Sequence, residues 1–308
     1  MSDPPDRVPS LVDPETLDSV STLTIQVRRV VEGLQGGDHA SLHKGASVEF
    51  AEHRKYCPGD DIRHIDWRAL ARTDRHFVKQ HEREVTLRCL LVVDTSASMG
   101  YRGSRARASK LDYARILLGA LAHVLVRQGD AVGFLAFASS PLGYLPPKRE
   151  AKHLPAMMSW LAALEPSEEE GTGFSEAIRK AAEIAGRRSM VALASDLWGA
   201  GRETETAIAR LAARGHDVAV FHVLSPDEAD LPFERPALFA GLEGEGDVDI
   251  DPALVRADYA REIRAIRERW RRTCGEAGVD LVPVATGDPP GAILAAFAAR
   301  RARTAMAV

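Results

Sequence analysis

The chain is poor in features that mark several large protein classes. Its 308 residues include only three cysteines, Cys57, Cys89 and Cys274, spaced far apart and without a CxxC pair. That spacing argues against a disulfide framework or a cysteine-based zinc centre. No run approaches the ~20 consecutive apolar residues of a spanning helix, so no membrane span is expected. The first 14 residues carry neither a basic n-region nor an apolar h-region, which leaves a cytoplasmic location as the expectation. Positive charge is not in excess: 40 Lys and Arg stand against 44 Asp and Glu, a formal net charge of −4. A chain built to coat nucleic acid or an anionic membrane has the opposite balance. Three enzyme signatures are also missing: a GxGxxG after the first strand, a GxxxxGK[ST] and a GxSxG. A dinucleotide site, a P-loop and a nucleophile elbow are not expected.

What is present is ordinary globular material, 45% hydrophobic and 27% charged, long enough for one large domain or two modest ones. Residues 1–22 read as a polar, proline-bearing tail. Residues 23–85 read as a short helix, Leu23 to Leu34, followed by a β-rich extension or lid. That extension is dense in His, Arg, Asp and single aromatics, with a turn at Pro58-Gly59-Asp60 and a strand near Arg75 to Lys79. Residues 86–308 alternate apolar strand-like runs with helical stretches. The runs are Cys89–Val93, Ala131–Ala138, Met190–Ala194, Val218–Leu224 and Val279–Val284. Strands buried on both faces and separated by helices predict an α/β domain, an open and mostly parallel sheet with helices on both faces. Residues 226–252, rich in acids, glycine and proline, read as a long surface loop.

In such sheets ligands gather at the carboxyl ends of strands, where strand order reverses. Asp94-Thr95-Ser96-Ala97-Ser98 follows the first apolar run and Ser195-Asp196 a later one, while Glu170-Gly171-Thr172-Gly173 opens a helix between them. Hydroxyls and carboxylates on one sheet edge suit a hard divalent cation, which takes oxygen ligands and keeps several waters. Ser96, Ser98 and Thr172 are the direct ligands in this reading, and Asp94 and Asp196 hold metal-bound waters. One coordination position is left for a carboxylate from another protein.

The Asp94 to Ser98 segment, with Thr172 and Asp196, resembles the metal-ion-dependent adhesion site of von Willebrand factor A-type domains. A longer likeness runs through Phe50-Ala51-Glu52-His53-Arg54, Tyr56 to Arg68, Val93 to Met99, Arg214 to Val218 and Leu231-Pro232-Phe233. There the chain is similar to bacterial von Willebrand A-like proteins linked to MoxR-type AAA+ ATPases, a family labelled as a domain of unknown function. The resemblance implies a von Willebrand A-like sheet and a bound Mg²⁺, or Mn²⁺ or Ca²⁺, at Asp94, Ser96, Ser98, Thr172 and Asp196. It also implies a non-enzymatic adaptor that works with a MoxR-type ATPase in the assembly or maturation of other proteins, gripping a client through an acidic residue. The sequence departs from the family pattern twice. Gly173 follows Thr172 where the family usually has Asp, and Ser225-Pro226 stands where Asp-Pro is common.

Each of these residues also has an ordinary structural use. Asp94, Ser96 and Ser98 could shape a turn, Thr172 could be the N-cap of the helix from Phe174, and Asp196 could cap the helix after it. His53, His64, His76 and His81 lack metal-ligand spacing and read as packing residues. Asp60, Asp61 and Asp66 read as surface partners of Arg63 and Arg68. The Arg-rich stretch from Arg256 to Arg272 reads as a wet helix face with intrahelical ion pairs. The rival enzymatic reading is an aspartyl phosphotransferase or phosphatase using Asp94, although Ser96 stands where such enzymes place a second Asp. A third reading is a metal-free scaffold that binds partners through the acids between Asp227 and Asp251.

Overall fold

A computed structural model of the chain describes residues 14–36, 53–55, 77–79, 87–167, 169, 171 and 173–306. It divides into two compact units, residues 40–86 and the rest of the chain. The first helix, α1, spans Pro14–Gly36. In the smaller unit β1 (His53–Lys55) pairs antiparallel with β2 (Phe77–Lys79), Arg54 opposite Val78. The readings of His64, His76 and His81, and of Asp60, Asp61 and Asp66, lie outside the described residues.

The larger unit continues with β3 (Arg88–Asp94), α2 (Lys110–Arg127), β4 (Ala131–Phe137), β5 (Pro141–Lys148), α3 (Leu154–Ala162), α4 (Phe174–Ala185) and β6 (Met190–Ser195). Then come α5 (Arg202–Ala213), β7 (Asp217–Leu224), α6 (Pro226–Asp230), β8 (Ala237–Phe239), β9 (Val248–Ile250), α7 (Pro252–Glu276), β10 (Asp280–Ala285) and α8 (Pro290–Met306). The sheet runs β10-β7-β6-β3-β4-β5, parallel throughout except for β5, which is antiparallel to β4. This is the open, mostly parallel sheet that the apolar runs predict.

Alternation along the strands feeds two cores. Leu90 and Val92 of β3 pack with Phe174 and Ile178 of α4, Ile208 and Leu211 of α5, and Trp270 and Cys274 of α7. On the other face α2 lies on β3 and β4 and is itself covered by α1, α3 and α8. There Phe134 meets Trp160 and Phe221 meets Phe297. Met157 and Met158 are buried in this core.

Three elements depart from the sequence reading. The first helix begins at Pro14, inside the stretch read as a tail, and packs on α2, α3 and α8 of the α/β unit. Its buried stripe, Leu23, Val27, Val31 and Leu34, follows helical spacing and finds an apolar surface there. The strand β5 carries Pro141, Pro146 and Pro147, residues that read against a strand. It is tolerated because β5 is an edge, where an absent N–H costs no ladder bond on its outer side. The opposite edge strand, β10, holds the exposed Pro283. Finally, residues 226–252 are not a plain surface loop. They form α6 and the β8–β9 hairpin, with Phe239 opposite Val248.

Candidate functional site

From β3 the chain crosses to β4 on one side and later returns to β6 on the other. The strand order therefore reverses at β3, and a crevice is expected beyond its carboxyl end. Val93 of β3 lies in register with Ala194 of β6. This register puts Asp94, which ends β3, beside Ser195, which ends β6, with Asp196 next in sequence.

Asp94 is fully buried. Its Oδ1 accepts from the Ser96 N–H at 2.9 Å, and its Oδ2 accepts from the Ser195 hydroxyl at 2.6 Å. The Ser96 and Ser98 hydroxyls are 3.2 Å apart and buried. Thr95 faces away, its N–H and hydroxyl both donating to the Phe137 carbonyl, which ties the loop to the end of β4. Asp196 is also buried, and its Oδ1 accepts from the Trp198 N–H at 2.9 Å. Between them Leu197 sits at φ +57°, a left-handed conformation that L side chains rarely adopt. Its N–H donates to the Ser195 hydroxyl, so Ser195 links the two strand ends. The structure thus brings Asp94, Ser96, Ser98 and Asp196 together. Thr172 lies outside the described residues.

The neighbouring Gly173 explains one departure from the family pattern. Its N–H donates to the Ala138 carbonyl at 2.7 Å, and a Cβ there would meet the Ser139 carbonyl oxygen at 2.2 Å. Backbone against backbone leaves no room for Asp. Gly173 is also the N-cap of α4, the role weighed for Thr172. The helix after Asp196 is capped by Gly201, so Asp196 does not cap it.

Two residues at this edge were not anticipated. Lys110, in the first turn of α2, is buried, and its ammonium donates to Asp196 Oδ2 at 2.7 Å and to Glu228 Oε1 at 2.5 Å. A lysine at a helix N-terminus opposes the helix dipole, an oddity that marks a specific acidic partner. Glu228 reaches it from α6, where its other oxygen accepts from the Ser225 N–H at 2.7 Å. The Ser225-to-Glu228 spacing is a capping-box signature legible in the sequence. Beside it Asp227 is buried, accepting from the Ser104 N–H and hydroxyl and from Arg105 Nε. The sequence alone places these acids on a loop surface, because their partners lie more than a hundred residues upstream.

Burial pushes the Asp94 carboxyl well above the ordinary range, and the nearby Asp196 carboxylate adds to the effect. Burial would raise Asp196 as well, but the Lys110 ammonium, together with hydrogen bonds from the Trp198 N–H and the Ser98 hydroxyl, holds that carboxyl below its usual value. His222 behind them is buried, its Nε2 2.9 Å from the Asp196 carbonyl oxygen, and burial lowers its pKa to about 4. No ion pair reaches Asp94 among the described residues. Nor do three or more His, Cys, Asp or Glu side chains among them form a metal cluster. The two strand-end loops themselves offer a cation hydroxyl and water oxygens beside two carboxylates.

The tip of the β8–β9 hairpin comes to this edge. Glu243 Oε1 accepts from the Ser98 N–H at 2.9 Å, and Glu245 Oε1 accepts from the Trp198 indole N–H at 2.7 Å. The sequence offered only a run of acids and glycines for this segment.

Elsewhere the Arg-rich helix α7 makes the expected intrahelical pairs Arg261–Asp258 and Arg271–Glu268, while Arg269 crosses to Glu205. No helix among the described residues is long and apolar enough to cross a membrane.

The chain is 30% identical over 298 residues to the uncharacterized protein Rv1480 of Mycobacterium tuberculosis, covering 96% of this chain and 92% of the relative. Among solved structures it is similar to BatB from Bacteroides thetaiotaomicron, at 19% identity and a TM-score of 0.48, over 71% of this chain and 99% of that one. It is also similar to the VWA domain of SpRpn10, at 13% identity and a TM-score of 0.40, over 68% and 94% of the two chains. A family model described as protein of unknown function DUF58 matches residues 52–269, and the chain belongs to that family.

Proposed function

We propose that the protein is a non-enzymatic, divalent-cation-dependent interaction module, and that its metal site is the loop edge around Asp94. The observation that carries this reading is the Ser96–Ser98 hydroxyl pair, 3.2 Å apart and set among the buried carboxylates Asp94 and Asp196. Of the two buried carboxylates only Asp196 meets the Lys110 ammonium, which it shares with Glu228, so carboxylates outnumber the cation at this edge and a doubly charged ion would offset the excess. Ser96 and Ser98, with Thr172, would hold Mg²⁺ or a similar ion. Asp94 and Asp196, whose oxygens each already accept one hydrogen bond, would orient its waters. The ion supplies a Lewis-acidic position that a partner's carboxylate can fill. A backbone N–H is at hand to receive the same group, since Ser98 already donates to a carboxylate.

The enzymatic rival is less well served. A nucleophilic Asp needs an open line of attack, and Asp94 is enclosed with both oxygens engaged. The partner in our reading is a MoxR-type AAA+ ATPase together with an acidic client, as the family resemblance implies.

The test is calorimetric. Mg²⁺ or Mn²⁺ is titrated into the wild type and Asp94→Ala, alone and with an acidic peptide, while pull-downs run with and without EDTA. A site present in the wild type and lost in the variant is expected, with client capture abolished by chelation. A wild type that binds no cation, even with the peptide, overturns the reading.

A further inference from the structure

We infer that Glu243 is the chain's own carboxylate ligand at this site, so that the β8–β9 hairpin tip is a built-in acidic partner that an outside client must displace. The inference rests on the metal-site reading above and names the first occupant of its open position.

The geometry of the tip is specific. Gly241 packs so closely on Gly246 that a Cβ on it would meet the Gly246 carbonyl oxygen at 2.6 Å, which closes the neck of the loop. Gly244 and Gly246 take φ +86° and +84°, conformations that favour glycine and turn the Glu243–Glu245 segment back on itself. The Glu243 N–H donates to Glu245 Oε2 at 2.9 Å, and Glu245 Oε1 takes the Trp198 indole N–H. Glu245 thus moors the tip to the loop that carries Asp196, and Glu243 is left to reach the loop that carries Ser96 and Ser98.

One oxygen of Glu243 is accounted for and the other is not. Oε1 accepts from the Ser98 N–H, whereas Oε2 is buried without a hydrogen-bond partner among the described residues. A carboxylate is rigid, so Oε2 lies within a carboxylate's width of the oxygen seated on Ser98. Leaving a buried acceptor unmatched is unfavourable. Glu243, with Ser96 and Ser98, would hold a divalent cation, which would supply the missing partner.

The tip is also placed to leave. Strands β8 and β9 have three residues each, and Leu238, Leu242 and Val248 of the hairpin are exposed. Few buried contacts hold this segment, which favours local opening over opening of the sheet.

The test is Mn²⁺ titration of the full chain followed by calorimetry, in the wild type, Glu243→Ala and Asp94→Ala. Removing one ligand is expected to weaken Mn²⁺ binding by about tenfold in Glu243→Ala. Added acetate, supplying a carboxylate in trans, is expected to restore it while leaving the wild type unchanged. Glu243→Ala binding Mn²⁺ as tightly as the wild type, or a loss that acetate does not restore, overturns the inference and leaves the metal site standing. A wild type that binds no Mn²⁺ overturns both.

Discussion

The Lys110 ammonium lies 2.7 Å from Asp196 Oδ2, and each side chain is 1% exposed. An ion pair this deep contributes little relative to an apolar replacement of both partners, but removing one partner strands the other. Burial opposes charge on the lysine, yet Asp196 and Glu228 outweigh it and hold the lysine pKa above its usual value. Lys110→Met should therefore destabilise the protein by about 3–5 kcal/mol. That corresponds to a fall of roughly 10 °C in Tm. Saturating Mg²⁺ should recover part of the loss, because a ligand of the native state stabilises it. Thermal melts with and without Mg²⁺ check both statements.

Ser195 gives its hydroxyl hydrogen to Asp94 and accepts the Leu197 N–H, so it orients a carboxylate proposed to hold metal-bound water and secures a strained residue. Ser195→Ala should lower Mn²⁺ affinity, by less than the roughly tenfold cost of removing a direct ligand. Circular dichroism should show the fold retained. An unchanged affinity would mean that the Asp94 orientation does not matter to the ion.

For Asp227, burial works against ionisation, but Arg105 and the two Ser104 bonds prevail and hold the carboxyl below its ordinary value. A depressed folded-state pKa stabilises the protein fully above the unfolded value, near 4, and the gain is lost as pH falls through the folded one. Asp227→Asn should cost about 1–3 kcal/mol at pH 7, a figure kept modest because Arg105 is 43% exposed. The Tm gap between wild type and variant should be widest near neutrality and should narrow below about pH 4.

Cys89 and Cys274 are buried and free, and burial pushes their thiols up to about 12 and about 11. At pH 8 the thiolate fraction of Cys89 is then on the order of one in ten thousand. In a Cys57→Ser background, iodoacetamide should leave the native protein unmodified and label both cysteines once denaturant unfolds it. Mass spectrometry counts the adducts. Labelling of Cys89 before unfolding would contradict its burial in β3.

Strand ends and hydroxyl-bearing turns announced themselves because both are local patterns. Cys89 to Val93 and Met190 to Ala194 are unbroken apolar runs, and the polar residues that follow them had only one edge on which to meet. The charged half of the site did not announce itself. Lys110 meets Asp196 across 86 residues and Glu228 across 118, and Ser98 meets Glu243 across 145. Each of these side chains, taken alone, has the signature of a solvated surface group. Only the pairing removes them from water, and pairing is a property of the tertiary fold. The strand β5 was hidden for a different reason. Its three prolines forbid a central position but not an outer one, and position in the sheet is not written in the segment itself.

Those prolines also bear on how the molecule can meet others. With Pro141, Pro146 and Pro147 at one margin of the sheet and Pro283 at the other, both outer strands lack donors that a docking strand would need. Growth of the sheet by strand addition, within a dimer or toward an aggregate, is obstructed on either side. In the reading proposed above, recognition is thereby left to the loop-bearing rim rather than to the backbone of the sheet margins.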